Sequence, residues 1–304
     1  MDVSRLPDLK PRSVWEVTDD AFDVYREHFA ALAGITAVVA APVLIILSVW
    51  LLSGYRDLDH FTSSSDQFGR FLAQMAWIVP LVAVAAMLQS AATALAVRDI
   101  LTGAAPTILS VYRRVFQRFL PLLFGALLPA AVAFILSCVP FLWIFIAVWY
   151  AFTAHGIVLE DRKLLDSMKR SRDVSQNYFG KTLGMICLMT VINVAFFAGC
   201  RALISEAFSI LPKAEGSATP YAAEQFQSLV AAVSSSVLLL LLLPLPAIAV
   251  TLLYYDLRVR REGLDVESEA ATWGVPLAPD PFGGVLNPKQ PKPAKMAKIK
   301  GAKK

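Results

Sequence analysis

The residues whose types and spacing come nearest to chemistry are Asp99, His155, Glu160, Asp256 and Arg258, each close to the polar edge of a long apolar run. An imidazole five residues before a carboxylate, with a second carboxylate two residues before a guanidinium, could bind a phospholipid headgroup and move a proton on it. The same groups make an ion-pair network without any chemistry, because Asp99, Glu160 and Asp256 all have arginines nearby in sequence. The second reading is the simpler. His155 then reads as a neutral imidazole bonded to a neighbour. Gln89 and Asn193 read as hydrogen-bond partners between helices, and Gln74 is a further amide inside an apolar run. Cys187 reads as a packing residue, while Cys138 and Cys200 fall toward one common face. No CxxC, HExxH, P-loop, GxGxxG or GxSxG pattern occurs, so the expectation is no catalytic residue, no cofactor and no metal.

The elements that must position these groups are set by hydropathy. Of 304 residues, 57% are apolar and 17% charged, and the mean hydropathy is +0.58. Residues 28–55, 71–97, 119–159, 182–200 and 225–255 contain no Asp, Glu, Lys or Arg. A helix crosses the hydrocarbon core with roughly 20 apolar residues, so these runs exclude a water-soluble fold. Three cysteines exclude a disulfide scaffold. Continuous rather than alternating apolar runs exclude a β-barrel.

The 41-residue run at 119–159 is about twice the length one crossing needs. It is expected to turn at Ser137-Cys138-Val139-Pro140, because proline disfavours helix in the residue before it. The predicted fold is all-α and polytopic, with six transmembrane helices in three hairpins near 31–53, 72–97, 120–137, 141–158, 182–203 and 228–254. Of the 28 Lys and Arg residues, 24 fall at the termini and in the gaps 98–118 and 160–181, and four in the other gaps. The positive-inside rule therefore puts both termini in the cytoplasm. The polar start MDVSRLPDLK does not read as a signal peptide, and the expected location is a bacterial inner membrane.

Each outgoing span is expected to follow an interfacial amphipathic helix. In 107–119, Ile108, Val111, Tyr112, Val115, Phe116 and Phe119 share one face, opposite Arg113, Arg114, Gln117 and Arg118. Trp15, Ala21, Phe22, Tyr25 and Phe29 make a similar stripe, and Leu164, Leu165, Met168, Tyr178 and Phe179 a weaker one. The unit of surface helix, span out and span back thus occurs three times, and Val24-Tyr25-Arg26 matches Val111-Tyr112-Arg113. In the last span, Pro244 and Pro246 follow a six-leucine run and predict a kink, since each removes a backbone donor. Gly180 and Gly184 form a lone GxxxG. The expected organisation is a short segment 1–12, a membrane domain 13–266 and a proline- and lysine-rich disordered tail 267–304.

Leu252-Leu253-Tyr254-Tyr255-Asp256-Leu257-Arg258-Val259-Arg260-Arg261-Glu262-Gly263-Leu264-Asp265 resembles the closing signature of the glycerophosphoryl diester phosphodiesterase membrane domain family. Ile157-Val158-Leu159-Glu160-Asp161 with Lys169-Arg170-Ser171 is similar to its middle signature, and Asp20-Ala21-Phe22-Asp23-Val24-Tyr25-Arg26 to its start. The resemblance covers about 13–266. In some relatives this membrane part is fused to a soluble phosphodiesterase barrel of about 250 residues. The loops and tail here are too short to hold one, so the resemblance implies the membrane part without the hydrolase.

The expected function is accordingly a non-catalytic integral membrane module that binds lipid or a protein partner. Its partners are membrane lipids, preferentially anionic, contacted by Arg113, Arg114, Arg118, Lys298, Lys300, Lys303 and Lys304. The lysine-rich end has no aromatic residue for base stacking, so nucleic acid is not expected. The alternative is a permease or channel component that uses the proline-broken sixth helix, although no charged residue lies mid-span.

Overall fold

The computed structural model describes residues 12–54, 64–135, 141–209 and 220–262, all within one compact unit, Met1–Asp265. Among the described residues every regular element is a helix: α1 Val14–Glu27, α2 Phe29–Gly54, α3 Ser64–Leu101, α4 Ile108–Gln117, α5 Phe119–Ile135, α6 Phe141–Tyr150, α7 Thr153–Val158, α8 Leu164–Asn177, α9 Phe179–Ser209, α10 Pro220–Leu242 and α11 Pro244–Glu262. Four helical stretches are long and apolar enough to cross a membrane: Phe29–Trp50, Ala76–Leu101, Phe179–Glu206 and Leu229–Arg260. A fifth arises if α4 and α5, bent by 72°, count as one. The apolar stretch Ile144–Val158 is shorter. The expected turn at Ser137-Cys138-Val139-Pro140 lies outside the described residues, as does the tail.

A three-part pattern organises these helices. α1 is capped by His28, α4 by Arg118 and α8 by Tyr178, and an apolar helix starts at the next residue, which is Phe29, Phe119 or Phe179. The three hinge residues share one backbone state, with φ, ψ of −116°, 28°; −115°, 21°; and −130°, 36°. Each hinge carbonyl accepts the first bond of the following helix, from Leu32, Leu122 and Thr182 at 3.0–3.1 Å. The chain therefore turns without abandoning backbone groups, which a low-dielectric surrounding would penalise heavily. Counted from the hinge, the buried positions also agree. Ala21, Val111 and Ser171 lie seven residues before it; Leu32, Leu122 and Thr182 four after; Ile35, Gly125 and Met185 seven after.

The Val-Tyr-Arg match is out of this register. Tyr25 lies three residues before its hinge and Tyr112 six before, so the repeat is one of architecture rather than of those triplets.

The segments that follow α2, α5 and α9, termed the return segments, are α3, α6 with α7, and α10 with α11. α4 packs on α3 and α8 on α7, in each case under the return segment just before it. α1 has none before it and packs on α11 instead, which closes the three units into a ring. The middle of the ring is built from the charged ends of the return segments. Ala91 to Val97 of α3 and Thr153 to Ile157 of α7 are buried all round, as are most of Ile248 to Leu257 of α11. Alanine and threonine dominate the α3 stretch because small side chains let helix axes approach closely.

Candidate functional site

Glu160 lies where α7 turns into α8. Asp161 takes a left-handed conformation there (φ 56°), which aspartate tolerates better than most residues. The Arg162 N–H donates back to the Gly156 carbonyl at 3.2 Å. The Glu160 side chain is 6% exposed. It accepts from the Tyr254 hydroxyl and lies 2.5 Å from Arg162 Nε, 3.4 Å from Arg258 Nε and 3.6 Å from Arg170 Nη2. Burial by itself would raise this carboxyl. The Tyr254 hydroxyl and the three guanidinium groups outweigh it and hold Glu160 below the ordinary carboxylate range. Arg258 also stands over the Tyr254 ring at 5.8 Å.

His155 is fully buried and faces inward. Its Nε2 is 3.0 Å from Thr251 Oγ1. Thr251 already donates to the Ala247 carbonyl at 2.7 Å, so the imidazole Nε2–H is the donor in this pair. The ring packs against Phe152 and Tyr254 at centroid distances of 6.0 and 5.2 Å. This hydrogen bond joins two return segments, and His155 makes none to the carboxylates among the described residues.

Asp256 serves a different seam. Its side chain is 4% exposed. It accepts from the Arg12 backbone N–H at 2.7 Å, from Lys181 Nζ at 2.5 Å and from Arg260 Nε at 3.0 Å. Lys181 and Arg260 also donate to the Arg12 carbonyl, at 2.5 and 2.7 Å. The segment that leads into α1 is thereby fastened to the first turn of α9 and to α11. Asp99 makes the third seam, bidentate with Arg114 of α4.

Of the five edge residues singled out in the sequence, then, only Glu160 and Arg258 meet. Asp256 and Asp99 hold separate seams, and His155 sits inside the ring. Each of the three acids is held by cations, one at each place where α4, α8 or the start of α1 meets a return segment. Among the residues expected to face headgroups, Arg113 is exposed, Arg114 is tied to Asp99 and Arg118 to Asp161. Lys298, Lys300, Lys303 and Lys304 lie outside the described residues.

Two return segments are broken, and neighbours supply hydrogen bonds at both breaks. α10 ends at Leu242 and α11 starts at Pro244. Gln89 of α3 donates to the Leu243 carbonyl at 3.1 Å, and the Tyr25 hydroxyl of α1 to that of Leu241. The α6–α7 break falls at Ala151-Phe152, with no proline in it. There Ser171 accepts from the Phe152 N–H at 3.1 Å and donates to the Trp149 carbonyl at 2.7 Å, while Ser175 donates to Val148 at 2.8 Å.

The buried face of α8 is thus Ser167, Ser171, Val174 and Ser175, with Leu164 partly buried beside it. Leu165 is 73% exposed. Small hydroxyl residues win because they fit against Gly156 and repair the break. The i, i+4, i+8 spacing of the serines was the available signal. Asn193 also departs from expectation: it donates to Met189 of its own helix at 2.8 Å rather than to a neighbouring helix.

A Cβ added at Gly180 or Gly184 meets nothing, so no described helix of this chain presses on that pair. Cys187 and Cys200 are free thiols, and Cys138 lies outside the described residues. Among the described residues no group of His, Cys, Asp and Glu is arranged to hold a metal ion. In comparisons with known proteins, no family model, no curated protein and no solved structure matches this chain.

Proposed function

We propose that the chain is a non-catalytic integral membrane protein of the bacterial inner membrane that binds lipid through its surface helices. It has six spans in three hairpins, the fourth formed by α6 and α7, with both termini cytoplasmic. The resemblance of its closing motif to the glycerophosphoryl diester phosphodiesterase membrane domain family belongs to this proposal.

The observation that carries it is the build of α1, α4 and α8. Each buries one face on the ring and leaves large apolar side chains uncovered on another. Trp15 is 67% exposed, Leu109 83% and Phe116 64%, with Leu165 as above. Helices of this kind lie in the headgroup plane with their apolar residues in the acyl boundary. The carboxylates of Asp99, Glu160 and Asp256 are engaged by arginine and lysine, which favours a structural role for the charged edge. Native mass spectrometry of the gently solubilised full chain tests this reading. Retained anionic phospholipid is expected, and lipid-free spectra across several mild detergents would refute it.

A second reading, a permease that uses the break at Leu243, draws on the discontinuous helix. Gln89 and Tyr25 already occupy carbonyls at that break, which leaves fewer of them to coordinate a solute. A change in vesicle permeability on Pro244→Ala with Pro246→Ala would favour this second reading.

A further inference from the structure

The three surface helices are alike in build and unlike in charge. α1 carries Glu16, Asp19, Asp20, Asp23 and Glu27 against the single Arg26. α4 carries Arg113 and Arg114 and no acid, and Arg118 follows at its hinge. Partners close by neutralise part of this. Arg12 pairs with Asp20, Arg26 with Asp23, Asp99 with Arg114 and Asp161 with Arg118. What stays exposed without an ion pair among the described residues is Glu16, Asp19 and Glu27 on α1, Glu16 being engaged in the capping box with Ser13, and Arg113 on α4. Both helices also expose large apolar residues, Trp15 and Phe22 on α1, Ile108, Leu109 and Phe116 on α4. Their immersion is driven by the same kind of side chain, and their charges then act on whichever headgroups lie beside them.

We propose that the lipid shell of this protein is lopsided: anionic phospholipid headgroups gather against α4 and are kept away from α1. The inference rests on the interfacial placement of the surface helices given above and adds which of them takes which lipid. Screening confines each helix's field to a Debye length, about 8 Å at physiological salt, so each governs the headgroups along its own exposed face. A basic residue near an anionic surface shifts lipid occupancy about fivefold, and an acidic one shifts it the other way.

The full chain is placed in phosphatidylcholine nanodiscs containing a minor fraction of photoreactive phosphatidylglycerol. A parallel sample carries photoreactive phosphatidylcholine, and the labelled peptides are mapped. The ratio of anionic to zwitterionic labelling is expected to be several-fold higher on the α4 peptide than on the α1 peptide. Arg113→Gln should lower the α4 ratio about fivefold, and Asp19→Asn with Glu27→Gln should raise the α1 ratio. Equal ratios on α1 and α4, or ratios unmoved by these variants, would overturn this inference alone. Absence of any anionic preference on every peptide would overturn the lipid-binding reading as well.

Discussion

Removing the charge of Glu160 should destabilise the ring more than any other single charge change at its edge. Glu160→Gln keeps an acceptor for the Tyr254 hydroxyl and nearly the same volume, so the loss isolates the charge. Arg258 and Arg170, with side chains 9% and 13% exposed, each lose an acidic partner. Arg162 is 45% exposed and water compensates it. Breaking a buried pair costs about 3–5 kcal/mol, whereas an exposed pair contributes about 0–1 kcal/mol. The near-buried arginines place the expected loss at about 3 kcal/mol, the low end of the buried range. For a chain of this size that is a fall of roughly 6–12 °C in Tm, read by thermal unfolding of the full chain in one detergent. Replacing the pair with apolar residues, Glu160→Leu with Arg258→Met, should recover part of that loss. A fall under about 2 °C in Glu160→Gln, far below the cost of a buried pair, would refute the claim that this carboxylate organises the edge.

Further outcomes follow from the same geometry. Because the folded Glu160 carboxyl lies below its unfolded value of 4.5, its contribution is fully present above pH 4.5 and lost as pH falls through the folded value. The stability of Glu160→Gln should accordingly fall less steeply with acid below pH 4.5 than that of the parent. Gln89→Leu leaves the Leu243 carbonyl without its amide and should lower stability by about 1–2 kcal/mol, with Pro244 still in place. Ser171→Ala removes both side-chain bonds at the α6–α7 break and should cost about 1–3 kcal/mol. Gly156→Ala brings a Cβ within 3.1 Å of Ser167 Cβ and 3.3 Å of its backbone Cα, and crowding of that kind costs about 1–3 kcal/mol. Gly184→Ala enters open space and should be neutral or stabilising by up to about 1 kcal/mol. Thermal scans of the two glycine variants side by side check the last pair.

Much of the helix inventory was legible because a run such as 28–55, with no charged residue, has few structures open to it. The helix over 107–119 was legible from its period, and it occupies Ile108–Gln117. The Ser13-x-x-Glu16 capping box that starts α1 went unread, although its spacing is a sequence signal, and the structure closes it in both directions. Partner choice was not legible. Asp256 bonds Arg12 across 244 residues, and only ring closure brings the two together. The buried face of α8 went unread because apolar periodicity picks out only greasy residues. Ser171 and Ser175 are buried because a helix break nearby needs their hydroxyls. The triplet match around Tyr25 and Tyr112 misled for a related reason. The equivalent feature is the hinge, whose residues His28, Arg118 and Tyr178 share a backbone state and no chemistry.

Thiol accessibility is the most direct test of the arrangement as a membrane protein with three surface helices on one face. With Cys138, Cys187 and Cys200 replaced by alanine, single cysteines at Asp19, Arg113 and Lys169 report on α1, α4 and α8 in turn. A membrane-impermeant maleimide is applied to vesicles of known, opposite orientation. All three positions should react only where the cytoplasmic face is outward. Reaction of any one of them from the opposite face would contradict the account.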